Sequence, residues 1–258
     1  MFGWSINLFR IRGIRISLHW TFALMLLYVC GEGWRADGMP GLLWSAGTFL
    51  AFFTCVILHE LGHSLTAMRF GVHVRRILLM PIGGMAEFDR IPRKPSQELL
   101  ITAAGPAVNF VIAGVLWVIL GRSLGTVDND TATSLVDLGQ TLFRWNLVMG
   151  FFNLIPAFPM DGGRILRAFL AMWLSYLQAT YWAATVGKVI TGVGFIWQIL
   201  KGSHADLFVI AICVFIFSAG QAEYQAVRRR EEDEAQWREA MLRNVTPPHP
   251  GEPPVIDV

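Results

Sequence analysis

The sequence predicts an all-α polytopic membrane protein with about six transmembrane helices and a short β-hairpin between the second and third. Three observations predict it. Hydrophobic residues make up 54% of the 258 residues and charged ones only 16%, well below the roughly one quarter usual in soluble domains. The apolar residues gather into segments long enough to cross a hydrocarbon layer of about 30 Å. Between the second and third of these segments, residues 72–89 change to an alternating pattern broken by Pro and Gly, which suits strands rather than helix. The net charge of +2 indicates no polyanionic or nucleic-acid partner, and Cys30, Cys55 and Cys213 are scattered among apolar neighbours. They are expected to be core residues, without metal-ligand spacing.

Residues 1–15 carry Arg10, Arg12 and Arg15, and no small-residue cleavage site closes the first apolar segment. That segment is therefore expected to be retained. The first span covers residues 16–29, with His19 beside Trp20 as a polar group at the membrane interface. A short, turn-rich connection at residues 31–41 leads into a second span at 42–70.

The second span holds the sequence His59-Glu60-Leu61-Gly62-His63. Residues four apart share a helix face, so His59 and His63 can offer their imidazoles to one ion with Glu60 beside it, the His-Glu-x-x-His pattern of zinc hydrolases. Ionisable groups inside a membrane span are costly and point to function. Counted from residue 42, His59 lies roughly 25 Å along the helix, inside the membrane but near its far face. That face follows from basic residues. Arg10, Arg12, Arg15, Arg69, Arg75, Arg76, Arg90, Arg93, Lys94, Arg164, Arg167 and the 228–230 cluster share one side of a six-span arrangement, leaving Arg35, Arg122, Arg144 and Lys201 opposite. The positive-inside rule makes the first side cytoplasmic, so both termini are expected there and the zinc site near that face.

In residues 72–89, Val72, Val74, Ile77 and Leu79 interleave with polar neighbours before Pro81-Ile82-Gly83-Gly84. An open strand edge cannot face lipid. It either holds an extended substrate by main-chain hydrogen bonds or simply covers the end of the bundle. The third span, 96–120, contains Gly105-Pro106-Ala107-Val108-Asn109; Asn109 either orients a group near the metal or bonds between helices. Residues 121–140 are expected to be a solvated outer loop.

From residue 141 an apolar segment runs into Asn153-Leu154-Ile155-Pro156-Ala157-Phe158-Pro159-Met160-Asp161-Gly162-Gly163. Its prolines and glycines must break the helix where a carboxylate is placed. A catalytic zinc commonly takes three protein ligands and keeps a position for water, which makes Asp161 the candidate third ligand; a helix cap is the other reading of the same residue. Residues 164–173 suit a helix along the cytoplasmic surface. Spans at 177–200, in which Lys188 snorkels or faces a cavity, and 207–224 follow. A transmembrane protease domain at 1–226 is expected to precede a charged tail at 227–258 that is disordered from Pro247.

His59-Glu60-Leu61-Gly62-His63, followed by Asn153-x-x-Pro156-x-x-Pro159-x-Asp161-Gly162-Gly163, resembles the site-2 protease family of intramembrane zinc metalloproteases. Gly105-Pro106-x-x-Asn109 and Pro81-x-Gly83-Gly84 resemble further family elements. The resemblance implies one zinc ion held by His59, His63 and Asp161, with Glu60 as catalytic base. It implies cleavage within or near a transmembrane helix of a membrane-protein substrate, in what is expected to be the inner membrane of a prokaryote. Asn153, Gly83, Gly84 and Asn109 are the expected substrate-binding residues. The chain departs from some relatives in leaving no room for an inserted PDZ domain and in ending where others continue into paired cystathionine-β-synthase-type domains. A soluble zinc protease is excluded by the apolar spans; a transporter would be expected to show inverted repeats, and a catalytically dead scaffold to lack one of the four site residues.

Overall fold

The computed structural model describes residues 5–81, 83–89, 94–121, 135–201 and 206–244. Its elements are β1 (Ser5–Ile11), β2 (Ile14–His19), α1 (Trp20–Arg69), β3 (Val74–Met80), β4 (Gly83–Phe88), α2 (Pro95–Leu120), α3 (Leu135–Asn153), α4 (Asp161–Leu170), α5 (Tyr176–Leu200) and α6 (Leu207–Asn244). Among the described residues, four helices are long and apolar enough to cross a membrane: α1, α2, α5 and residues Leu207–Met241 of α6. Helices of this length and apolarity are those of an integral membrane protein. α3, which carries Asp137 and Arg144, falls short of that apolarity.

The expected all-α class is corrected by a four-stranded sheet of order β1-β2-β3-β4. The hairpin at 72–89 is present as antiparallel β3 and β4, but residues 5–19 form a second antiparallel hairpin, β1 with β2, joined to β3 by parallel pairing of β2. The first span therefore begins at Trp20, not residue 16. The cause is a period-two pattern: Ile14 and Ile16 are fully buried on the sheet's inner face while Arg15 between them is exposed, as alternate strand positions require. His19 ends β2 and accepts a hydrogen bond from the Thr21 backbone N–H, capping α1.

The connection expected at residues 31–41 is helical almost throughout. Only Asp37 and Gly38 leave helical geometry, just before Pro40. They fold α1 back on itself, because Phe22 and Phe49 have ring centroids 5.2 Å apart, whereas a straight helix would separate them by about 40 Å. Gly33 and Gly41 allow the two arms to touch at the bend; a β-carbon on Gly33 would lie 2.3 Å from the Gly41 carbonyl oxygen. Phe22, Phe49 and Phe53 then join Ile14, Ile16, Val74, Ile77 and Leu79 in one core that fastens the sheet to the second arm of α1.

α6 runs unbroken past residue 226 to Asn244, so the charged stretch continues the last span as helix. The tail expected to be disordered and most of the expected outer loop, residues 122–134, lie outside the described residues. Lys188 faces α6, donating to Gln221 and lying 5.6 Å from the centre of the Phe217 ring.

Candidate metal centre

His59 and His63 project from the second arm of α1, one turn apart, toward the first residue of α4. Their Nε2 atoms are 3.1 Å apart, and Asp161 Oδ2 lies 3.3 Å from His59 Nε2 and 3.2 Å from His63 Nε2. A tetrahedral zinc bonded at about 2.0–2.1 Å places its ligand atoms about 3.3 Å from one another. Two imidazoles and a carboxylate are a donor set that suits zinc, and three protein atoms leave a coordination position free. Among the described residues, these three are the group able to hold a metal ion. Asp161 opens α4 behind Met160, which occupies the N-cap position without a side-chain cap bond. Asp161 is thus not acting as the cap.

Both rings are held from behind. His63 Nδ1 is 2.8 Å from the Ile101 carbonyl oxygen, and His59 Nδ1 is 2.5 Å from Asn109 Oδ1. A carbonyl can only accept, so Nδ1 of His63 carries the proton and its Nε2 lone pair is left for the metal. The helix carrying Ile101 comes this close because position 105 is glycine: a β-carbon there would sit 2.1 Å from His63 Nε2. Asn109 is fully buried and absent from the cavity wall, behind His59 rather than on the substrate side where it was expected.

Glu60, half-buried, lines a cavity of about 800 Å³ together with His59, His63, Asp161, Asn153 and the β4 residues Gly83, Gly84, Met85, Ala86 and Phe88. The structure therefore brings seven of the eight expected site residues to one cavity. Gly84 packs directly on Glu60, with room for no side chain: its β-carbon would be 2.6 Å from Glu60 Cγ. β4 is an edge strand of the sheet, so among the described residues this wall presents main-chain groups without a neighbouring strand.

α4 is held by a buried ionic cluster that spacing did not reveal. Arg167 donates through Nε and Nη2 to Glu98 Oε1 at 2.9 and 2.5 Å and through Nη1 to Glu223 at 2.6 Å. Its guanidinium carbon is 5.0 Å from the centre of the Tyr176 ring. Arg167 was expected among cytoplasmic surface charges, yet it is 2% exposed. It ties α4 to α2 and α6. The one signal was an Arg and a Glu beside apolar spans, which at membrane depth implies pairing.

Comparison with known proteins agrees with this geometry. The model of peptidase family M50 matches residues 47–138 and 123–196. The chain belongs to peptidase family M50, the site-2 proteases. The zinc metalloprotease MJ0392 of Methanocaldococcus jannaschii is 38% identical over 247 residues, 96% of this chain and 67% of the relative. Stage IV sporulation protein FB of Bacillus subtilis is 24% identical over 161 residues, 62% of this chain and 53% of the relative. A solved structure, the site-2 protease from Methanocaldococcus jannaschii, superposes with a TM-score of 0.59 at 39% identity, covering 86% of this chain and 95% of that one. The M50 chain is thus an intramembrane zinc metalloprotease, and both sequence relatives extend beyond the part it matches.

Proposed function

We propose that this protease hydrolyses peptide bonds within or near transmembrane helices of membrane-protein substrates, with His59, His63 and Asp161 holding one zinc ion and Glu60 as the base. The observation that carries the reading is the approach of the two Nε2 atoms and Asp161 Oδ2 to within 3.1–3.3 Å of one another. Zinc held by His59, His63 and Asp161 would supply Lewis-acid polarisation of a scissile carbonyl and acidify a water beside it. Glu60, in the same cavity as the three candidate ligands, is placed to take the proton of an attacking water and to return it to the leaving amine. No proton need come from His63, whose Nδ1 donates to the Ile101 carbonyl.

A helical substrate hides its carbonyls in its own hydrogen bonds, so the segment to be cut must first extend. The edge of β4, unpaired among the described residues, offers it replacement main-chain partners, and bare Gly83 and Gly84 let the added strand pass close to Glu60. Asn153, at the end of α3 on the cavity wall, holds the substrate chain or the loop leading to Asp161. Six crossings result if both arms of α1 and also α3 cross the bilayer, which puts both termini in the cytoplasm and the metal near that face; the basic residues support this orientation in a prokaryotic inner membrane. Glu60→Gln tests the role of the base. The variant is expected to keep its zinc and lose proteolysis of a transmembrane substrate in a purified assay; turnover at the parental rate would refute it.

A further inference from the structure

The buried polar groups behind His59 form a one-way chain. Asn146 of α3 is fully buried, and one atom of its amide lies 2.8 Å from the backbone oxygen of Leu142. That oxygen can only accept, so the atom facing it is Nδ2, which also donates to Cys55 Sγ at 3.3 Å. The opposite atom, Oδ1, must then accept from Asn109, at 2.9 Å, which makes the facing atom of Asn109 its Nδ2. Asn109 Oδ1 is left for His59, and the ring nitrogen it meets, Nδ1, must carry a hydrogen. Each assignment is forced by the one before it, and all of them by a single main-chain carbonyl.

From this chain of donors and acceptors we propose that Asn146 is a positioning residue for the metal site: it sets the direction of the Asn109 amide and through it the tautomer of His59. Among the described residues, no other hydrogen bond to the Asn109 amide distinguishes its oxygen from its nitrogen. Turned over, Asn109 would present an N–H to Nδ1 and leave the proton on Nε2, the atom that faces His63 and Asp161. A protonated Nε2 cannot bind a metal. His63 needs no such device, because Ile101 supplies a main-chain carbonyl directly. The inference rests on the proposed zinc ligation and extends it to α3.

The test uses the full chain in lipid nanodiscs, with ¹⁵N-labelled histidine read by NMR in the metal-free protein and zinc affinity read by chelator competition. The parent is expected to show His59 as the Nδ1–H tautomer. Asn146→Leu, close in size but without polarity, is expected to give a mixture of tautomers and to bind zinc about 10–100-fold more weakly. Asn146→Ala makes the same comparison should the leucine variant fail to fold. Asn146→Asp, neutral in this apolar setting, can donate through its hydroxyl to Leu142 and accept from Asn109, and should restore both readings. A folded Asn146→Leu or Asn146→Ala protein with a single Nδ1–H tautomer and parental zinc affinity would overturn the proposal, as would an Nε2–H tautomer in the parent. A parent that is Nδ1–H yet takes up no zinc would instead sink the metal reading while upholding the direction of the relay.

Discussion

Glu60 lies so close against Gly84 that a β-carbon on the glycine would stand 2.6 Å from Glu60 Cγ. The edge strand and the candidate base are therefore one fitted unit, although they come from different elements. Gly84→Ala must push the Glu60 side chain or the strand away. A displacement of about 1 Å in a catalytic group can cost on the order of 100-fold, so kcat/KM should fall by about 10–100-fold while zinc content stays at the parental level. Unchanged kinetics would show that this fit is irrelevant to turnover.

Gly105 makes the matching prediction for the metal. Its β-carbon would meet His63 Nε2 at 2.1 Å, whereas one on Gly114, in the same helix, meets nothing within 4 Å. Gly105→Ala should cost most of the bound zinc and Gly114→Ala none of it. Elemental analysis of the two variants side by side separates a local effect on His63 from a general effect of alanine in α2.

Arg167 and Glu98 are 2% and 1% exposed and paired at 2.5 Å. Removing one member of a buried pair leaves an uncompensated charge and typically costs about 3–5 kcal/mol. Arg167→Leu should lower the unfolding midpoint sharply and weaken zinc binding, since Asp161 begins the same helix. Arg167→Leu combined with Glu98→Leu should recover part of the stability, because the stranded carboxylate is gone. Equal destabilisation by the single and double variants would contradict the pairing.

The sheet carries a milder pH dependence. The hydrogen bond from Arg76 holds the Glu87 carboxyl below its ordinary value of 4.5. A depressed carboxylate contributes stability that is complete above its unfolded pKa and is lost as pH falls through the folded value. The pair is part-exposed, so its contribution is about 0.2–1 kcal/mol. Glu87→Gln should be slightly less stable than the parent near neutral pH, and the gap should close as the pH falls through the folded pKa of Glu87. A gap that persists in acid would assign the effect to packing instead.

The metal motif, the broken helix before Asp161 and the β3–β4 hairpin were legible because each is local: helix spacing, Pro and Gly breaks, and alternation state their own geometry. β1 and β2 were not, because the alternation of Ile14, Arg15 and Ile16 runs straight into the apolar residues of α1 and reads as the start of a span. The bend at Asp37 and Gly38 is tighter than the turn-rich connection its composition suggested. Asn146 and Arg167 stayed hidden for a different reason. Their partners Asn109 and Glu98 lie far away in sequence, and only helix packing decides which intramembrane polar groups meet.

Zinc content in the parent and in Asp161→Ala, measured by elemental analysis on protein purified alike, tests the central claim most directly. The convergence of α1 and α4 on one ion predicts one zinc per chain in the parent and a small fraction of that in the variant, with the fold retained. Equal zinc in both proteins would contradict it.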